Sequence, residues 1–309
     1  MAEMEHVAIV GAGAMGCLFA ARLAEAGAQV TLVDVDGARV AALDHDGVTL
    51  DDDAGERTVP VAARAAPDVK GPVDLVLLFT KGMHSAAAIR SVAHLAAGGA
   101  YALTLQNGIG NADVIADVWT PERILIGTAD WPADLEGPTR VASHGHGRLW
   151  VGPFAEGAMA GVAPAVALLN RGKLEAIADP HVLVPIWEKV AFNAALNALA
   201  TVTGLTVGGM DAAPGRRIAA AVVGEVVATA HATGVAVERD RIDAKVAFAL
   251  ASHRGHKASM LQDRLAGRAT EIETINGAVV RAAEAVGVAT PVTATLADLV
   301  RLIERPGEG

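Results

Sequence analysis

The amino-acid sequence predicts a two-domain α/β protein, with a doubly wound parallel sheet in the first domain and helices alone in the second. Short apolar segments alternate with helix-like stretches from residue 6 to about 152, which is typical of parallel strands joined by helices. Beyond about residue 163, apolar residues recur at helical spacing. We therefore place the domains at residues 1–170 and 171–309, with the boundary between 160 and 180.

The first domain is predicted to begin with a strand, a helix that ends in glycine, and a second strand. Val73–Lys81 is almost continuously apolar, which suits a strand buried on both faces. Two segments near residue 145 have the pattern of an added hairpin. In chain order the predicted elements are His6–Val10 (strand), Gly16–Gly27 (helix), Gln29–Asp34, Val73–Lys81, Ala100–Asn107 and Arg123–Ala129 (strands), and Thr139–Gly145 with Arg148–Gly152 (hairpin).

The second domain is predicted to contain five longer helices. Each shows apolar residues three or four positions apart, and strand-like alternation is largely missing. The predicted helices are Pro180–Gly204, Gly215–Gly234, Arg239–His253, Thr270–Gly287 and Val292–Glu304.

Composition excludes several classes of protein. The formal net charge of −10 disfavours a general nucleic-acid-binding protein, which needs a basic surface, and it disfavours an anionic membrane surface as partner. The apolar segments are interrupted before they could span a bilayer. The acidic start, "MAEMEH", leads directly into a strand and lacks the pattern of a signal peptide. We therefore expect a cytoplasmic protein without a nucleic-acid or membrane partner.

Cysteine and histidine usage predicts no metal site. Cys17 is the sole cysteine, so an intrachain disulfide and a cysteine zinc cluster are both excluded. His144 and His146 are close in sequence, but no cluster of carboxylates or cysteines accompanies them.

A glycine-rich turn follows the first strand. Gly11, Gly13 and Gly16 have the spacing G-x-G-x-x-G, with Ala14 and Met15 between the last two. The first glycine permits a tight turn, the second lets the backbone approach a pyrophosphate, and the third allows close packing of helix on strand. The pattern predicts a Rossmann-type dinucleotide-binding domain, with phosphates at a helix N-terminus. The alternative is a tight strand–helix turn without a ligand.

The end of the second strand predicts which dinucleotide is used. Asp34 lies where a carboxylate can accept hydrogen bonds from the adenosine ribose, which favours NADH. NADPH needs a cation near its 2′-phosphate, and the nearest one is Arg39. The alternative is that "DVDG" is a plain turn, in which Asp34 or, more readily, Asp36 caps the next helix.

A polar stripe is predicted on the first helix of the second domain. Lys189, Asn193 and Asn197 are four residues apart and therefore share one face of the helix. A solvated face is the alternative, but such faces usually carry Glu, Lys and Arg rather than Asn. A half-buried lysine could polarise a carbonyl and protonate it as hydride arrives, which suits reduction of a ketone.

Two residues farther along have competing interpretations. Ser259 with Gln262, and Thr270 with Glu273, have the spacing of helix capping boxes. In the second case Glu271 would occupy the first helical position, where the helix dipole favours a carboxylate.

Taken together, these motifs resemble the ketopantoate reductase (2-dehydropantoate 2-reductase) family over nearly the whole chain. The matching blocks are "GAGAMG" from Gly11, Thr80–Lys81, "QNGIG" from Gln106, "HGHGRLWVG" from His144, "WEKVAFNAALNAL" from Trp187 and "SMLQDRLAGRATEIETINGAVV" from Ser259. The resemblance implies a small 2-oxo acid as substrate, bound in a cleft between the domains, and reduction of ketopantoate to pantoate, usually with NADPH.

The resemblance also implies roles for individual residues. Lys189 corresponds to the catalytic lysine, and Glu271 to a glutamate near the reacting centre. Asn193 and Asn197 correspond to substrate-binding asparagines, and Ser259 to a serine that binds the carboxylate. Lys81 and Asn107 correspond to residues on the nicotinamide and substrate side.

Two departures from the family pattern leave the substrate and cofactor open. Many relatives have an arginine just after the second strand, where this chain has acidic residues, and "GTADWPADLEGPTRV" introduces Asp130 and Trp131 into a segment expected to border the substrate. An NAD-dependent dehydrogenase of another 2-hydroxy acid, such as D-mandelate, is therefore an alternative. A non-catalytic dinucleotide-sensing protein is a remote third. The oligomeric state, a homodimer included, is open.

Overall fold

A computed structural model describes residues 3–305 of the chain. The first two residues of the acidic N-terminal segment and the last four of the predicted second domain lie outside this range. The chain forms two compact units, residues 1–106 with 111–182 and residues 107–110 with 183–309. The domain limits expected above, 1–170 and 171–309, remain predictions, because compactness alone does not define an independently folding domain.

In the first unit, residues 3–106 and 111–182 form two sheets and six α-helices. Its strands are β1 His6–Val10, β2 Gln29–Val33, β3 Val48–Asp52, β4 Gly55–Val59, β5 Ala62–Arg64, β6 Leu75–Leu78, β7 Tyr101–Thr104, β8 Ile124–Ala129, β9 Asp134–Leu135, β10 Arg140–Ser143, β11 Leu149–Pro153 and β12 Ala176–Ala178. Its helices are α1 Ala14–Glu25, α2 Gly37–Asp46, α3 Ser85–Ser91, α4 Ala93–Ala97, α5 Asn111–Ala116 and α6 Met159–Arg171. Short 3-10 turns lie at 66–68, 82–84, 121–123 and 156–158.

The large sheet has eight strands in the order β12-β11-β8-β7-β6-β1-β2-β5. The strands from β8 to β5 pair in parallel, and β11 pairs antiparallel with β8. Every residue of β1 and of β6 is buried, as expected for central strands covered on both faces. The predicted parallel α/β class is confirmed, and the ends of β1 and β6 place the glycine turn and Lys81 at the same edge.

A second sheet, in the order β4-β3-β10-β9, was not predicted. Arg140 of β10 is in register with Thr49 of β3 in a parallel pair, whereas β11 joins the large sheet. The hairpin predicted from residues 139–145 and 148–152 is therefore wrong. Alternating apolar residues identify strands but do not identify their partners, and these pairs join distant parts of the chain.

In the second unit, the regular structure of the described residues, up to 305, consists of helices. Its helices are α7 Leu183–Thr203, α8 Ala213–Ala232, α9 Arg239–Ser252, α10 Ser259–Leu265, α11 Asn276–Val286 and α12 Pro291–Ile303, with a 3-10 turn at 207–210. Helix α7 packs against α8, α9, α10 and α12, which explains why most of its residues are apolar and buried. None of the helices within residues 3–305 is both long and apolar enough to cross a membrane.

The start of α12 shows how long-range contacts define helix ends in this unit. The Glu225 carboxylate, on α8, accepts hydrogen bonds from the backbone N–H groups of Val292 at 2.9 Å and Thr293 at 2.8 Å. These are first-turn amides, which have no partner within their own helix. Glu225 therefore fixes the end of α12 against α8.

Candidate functional site

The glycine turn has the geometry that a dinucleotide pyrophosphate requires. Gly11 has φ +104°, and a Cβ there would lie 2.7 Å from the backbone N of Thr80. A Cβ at Gly16 would lie 2.0 Å from the Gly11 carbonyl oxygen. At Gly13 a Cβ would meet none of the described atoms within 4 Å, so backbone is accessible there, and none of the described side chains caps the first amides of α1. The residues present, including Ala14 and Met15 of the first helical turn, thus fit an anionic phosphate group.

Asp34 organises this turn from the end of β2. Its carboxylate accepts hydrogen bonds from the backbone N–H of Ala12 at 2.8 Å and of Asp36 at 3.0 Å. Each carboxylate oxygen can accept more than one hydrogen bond, so Asp34 retains acceptor capacity for a ribose. The next residue, Val35, is 99% exposed and offers no cation at this point.

The helix that follows is capped as predicted. Asp36 Oδ1 accepts from the N–H groups of Ala38 at 3.0 Å and Arg39 at 3.2 Å, which confirms Asp36 as the cap of α2. Arg39 Nη1 in turn donates to the Ala12 carbonyl oxygen at 2.9 Å. A cation therefore lies at the glycine turn, on the same backbone residue that Asp34 binds.

The polar stripe on α7 does not form a solvated face. Lys189 and Asn193 are half-buried, and Asn197 is only 5% exposed. Among the described residues, neither asparagine side-chain amide has a hydrogen-bond partner. Neither amide is among the fully buried side-chain atoms without a partner within residues 3–305, so both amides are in contact with solvent. The burial of Asn197 disfavours the solvated-face alternative, and a polar ligand can reach the two amides.

A second cluster in this unit joins the segment 107–110 to the turn before α11. Asn107 Nδ2 donates to Glu271 Oε2 at 3.2 Å, and the Ile109 N–H donates to the Thr274 carbonyl oxygen at 3.2 Å. Gly108, at φ +92°, packs so closely that a Cβ would lie 1.9 Å from that same carbonyl oxygen. These contacts hold Asn107 beside the half-buried Glu271.

Both capping boxes predicted for this unit are wrong. Helix α11 begins at Asn276, so Glu271 lies in a turn, and Glu273 instead forms a hydrogen bond with Arg301 that lowers the pKa of the Glu273 carboxyl. Ser259 is exposed and is the first residue of α10, with no side-chain cap. Gln262 donates to the Lys257 carbonyl oxygen at 2.9 Å instead. In the second box a tertiary partner, Glu304, accepts from the Thr270 N–H at 2.7 Å, whereas in the first box the Gln262 side chain bonds locally, to a residue five positions back.

The segment expected to border the substrate is in part core. Trp131 is 8% exposed, its Nε1 donates to the Leu174 carbonyl oxygen at 2.9 Å, and the Arg22 guanidinium lies over its ring. Trp131 therefore belongs to the core of the first unit, and the expected border with the substrate stays a prediction. Asp130 is exposed.

The candidate residues form separate groups within each unit. The first unit brings together the glycine turn, Asp34 and the backbone before Lys81. The second brings together Asn107 with Glu271, and Lys189 with the two asparagines; Ser259 lies on α10, which packs on α7, but no hydrogen bond between described residues joins it to them. Within residues 3–305, no group of three or more His, Cys, Asp or Glu side chains is placed to hold a metal ion.

Sequence reasoning missed three residues that hold these groups in place. Asn276 is fully buried and its Nδ2 donates to the Ala194 carbonyl oxygen on α7 at 3.1 Å. Arg39, expected from sequence only as a phosphate ligand, donates to the Ala12 carbonyl oxygen, and Gln106, expected only as part of a motif, donates to Thr80 and Ser85. The available sequence signal was a second polar residue near a candidate site residue: Gln106 next to Asn107 in "QNGIG", and Asn276 shortly after Glu271 in "ETING".

Comparisons with known proteins agree with this architecture. The family models for ketopantoate reductase PanE/ApbA and for its C-terminal part match residues 7–156 and 182–304. The 2-dehydropantoate 2-reductase of Halobacterium salinarum is 33% identical over 304 residues, 98% of this chain and 100% of its own length. That of Streptococcus pyogenes is 30% identical over 300 residues, 96% of this chain and 97% of its own.

Solved structures show the same relationship. D-mandelate dehydrogenase with NADH and anilino(oxo)acetate has a TM-score of 0.92 at 29% identity, covering 97% of this chain and 98% of that chain. The PanE/ApbA family ketopantoate reductase from Ralstonia eutropha has a TM-score of 0.87 at 30% identity, with the same coverage, 97% and 98%. The resemblance stated from the motifs is thereby confirmed: the chain belongs to the ketopantoate reductase family of NAD(P)-dependent oxidoreductases.

Proposed function

We propose that this chain reduces the 2-oxo group of ketopantoate to give pantoate, with NADH as the favoured reductant. One observation carries the proposal: among residues 3–305, the side-chain amides of Asn193 and Asn197 form no hydrogen bond with the protein, and they lie on the same face of α7 as Lys189. A cation and two amides on one half-buried face suit a small acid whose carbonyl is to be polarised.

The bound dinucleotide supplies the hydride that reduces the carbonyl carbon. Its pyrophosphate would be bound at the start of α1 by Gly11, Gly13, Ala14, Met15 and Gly16. Lys81 would act on the nicotinamide side, and Asp34 would accept hydrogen bonds from the ribose. The exposed Val35 provides no cation just after the second strand, which supports NADH over NADPH.

The second unit's residues handle the acid. The Lys189 ammonium polarises the 2-oxo group and gives its proton to the oxygen as the alkoxide forms. Glu271 orients either the lysine or a substrate hydroxyl, and Asn107 is held beside it by their 3.2 Å hydrogen bond. Asn193, Asn197 and Ser259 hold the carboxylate and the polar end of the acid.

A second candidate is the oxidation of another 2-hydroxy acid with NAD. The likeness to D-mandelate dehydrogenase, with a TM-score of 0.92, favours this candidate, because that protein was solved with NADH and anilino(oxo)acetate. Asp34 suits it equally well.

A panel of 2-oxo acids and 2-hydroxy acids, assayed with NADH and again with NADPH, tests both candidates. A kcat/KM for ketopantoate above that for aryl and branched acids is the expected result. Preference for an aryl or branched acid would reject the biosynthetic proposal in favour of the second. Tight NADH binding without turnover of any acid would indicate a non-catalytic sensor.

A further inference from the structure

A hydrogen-bonded cluster surrounds the Gln106 side chain in the first unit. Gln106 Nε2 donates to the Thr80 carbonyl oxygen and to Ser85 Oγ at 2.8 Å, while Thr104 Oγ1 donates to Gln106 Oε1 at 2.9 Å. Because a backbone carbonyl can only accept, the bond to Thr80 fixes which end of the amide carries the NH₂ group. Both donors and the acceptor of Gln106 are therefore used within this cluster.

These bonds hold the segment that contains Lys81 at both ends. Thr80 directly precedes Lys81, and Ser85 directly follows the 3-10 turn at 82–84, in which the His84 N–H donates to the Lys81 carbonyl oxygen at 2.8 Å. Ser85 is fully buried, so its end of the turn is fixed in the core. The Gln106 amide therefore helps to fix the conformation of the turn, and with it the backbone position from which the Lys81 side chain extends.

The same segment lies directly against the glycine turn. A Cβ at Gly11 would be 2.7 Å from Thr80 N and 2.9 Å from the carbonyl carbon of Phe79. The Phe79 N–H also donates to the Val10 carbonyl oxygen at 2.8 Å. Because the backbone of Phe79 and Thr80 packs this closely against Gly11, a small shift at Thr80 changes the position of Lys81 relative to the phosphate-binding turn.

We propose that Gln106 is a positioning residue, whose amide sets the place of Lys81 relative to the glycine turn for hydride transfer. The inference rests on the proposed function, in which Lys81 lies on the nicotinamide side of the dinucleotide. A displacement of about 1 Å in a reacting complex can cost about 100-fold in rate. Gln106→Met, which keeps the length and removes the amide, should therefore lower kcat about 10- to 100-fold.

A double-mutant cycle with Lys81 separates positioning from a general loss of stability. The full-length chain is measured as wild type, Gln106→Met, Lys81→Met and the double variant. If Gln106 acts through Lys81, the double variant is no slower than Lys81→Met, because no side chain remains to be positioned. Two losses that multiply would overturn the inference. Gln29→Met, which changes an exposed glutamine of β2, is the matched control and should keep wild-type turnover.

Hydrogen exchange of the ligand-free chain gives a readout independent of turnover. Gln106→Met should speed exchange of the His84 and Ser85 amides relative to Gln29→Met, whereas unchanged protection would overturn the inference. Should Gln106→Met fail to fold, Ser85→Ala removes one acceptor of the cluster. This variant should also lower kcat and speed exchange of the His84 and residue-85 amides, though by less. A wild-type chain that turns over no acid of the panel refutes the proposed function, and hydrogen exchange then decides the role of Gln106 alone.

Discussion

Lys189 is the side chain on which the proposed chemistry depends most. Lys189→Ala should lower kcat about 100- to 10,000-fold, the usual contribution of a general acid, and should leave the dissociation constant of NADH nearly unchanged. Lys189→Arg keeps the charge but holds its proton too tightly to release it near neutral pH, so it should restore little activity. Lys70→Ala, at an exposed position of the first unit, is the control. Wild-type turnover in Lys189→Ala would remove this lysine from the mechanism.

Cys17 is a residue whose ionisation should affect stability rather than catalysis. Burial raises the pKa of its thiol to about 12, from an ordinary value of 9.0. Above about pH 9 the unfolded thiol therefore loses its proton while the folded thiol keeps it, so the unfolded state binds fewer protons and stability falls as pH rises. Each pH unit in this window costs up to about 1.4 kcal/mol.

The comparison with Cys17→Ala isolates this effect. Urea unfolding at about pH 8 and about pH 10 should show a loss of about 1 kcal/mol in the wild type that the variant lacks. The thiol should also resist alkylation at the lower pH until urea is added, since only the thiolate reacts. Rapid alkylation of the native protein would contradict the buried, neutral thiol.

At the scale of elements, the segment 107–110 is held by its fit to the turn before α11. Gly108→Ala would add a Cβ 1.9 Å from the Thr274 carbonyl oxygen, at a residue with φ +92°. Gly99→Ala is the matched control, because Gly99 has φ +90° and nothing within 4 Å of its Cβ position. The control should lose about 1–2 kcal/mol for its backbone conformation alone.

Gly108→Ala should lose more stability than this control and, unlike it, should lower kcat/KM, because Asn107 would move away from Glu271. Urea unfolding and steady-state kinetics of the two variants measure both effects. Equal losses in the two variants, with unchanged kinetics, would mean that the segment tolerates displacement.

For the whole molecule, the features that could be predicted from sequence are those encoded locally. The glycine turn, the Asp36 cap and the Lys-Asn-Asn stripe each depend on residues within a few positions of one another. Other features depend on residues that are distant in sequence. The small sheet forms because β3 pairs with β10, and Trp131 is held by its hydrogen bond to Leu174. The Gln106 side chain is held by its hydrogen bonds to Thr80 and Ser85. Such partners are chosen by packing across the unit, which periodicity and capping patterns do not encode.

Dinucleotide preference can be measured on the whole molecule, since a ligand that binds only the folded state raises the melting temperature. A ligand at about 100 times its dissociation constant stabilises by about 2.7 kcal/mol. At equal concentration NADH should raise the melting temperature more than NADPH. Asp34→Ala should weaken the effect of both, because Asp34 also binds the Ala12 N–H at 2.8 Å.

The variant Val35→Arg separates the choice between NADH and NADPH from the ordering of the glycine turn by Asp34. Val35 is 99% exposed and precedes Asp36, so an arginine there adds a cation beside the expected 2′-phosphate and leaves the hydrogen bonds of Asp34 in place. We expect the rise in melting temperature caused by NADPH to be larger in Val35→Arg than in the wild type, and to be unchanged in the uncharged control Val35→Gln. A larger shift with NADPH than with NADH in the wild type would contradict the proposed preference. Asp34 would then serve only to order the glycine turn, and Arg39, already bonded to the Ala12 carbonyl oxygen, would be the cation that binds the phosphate.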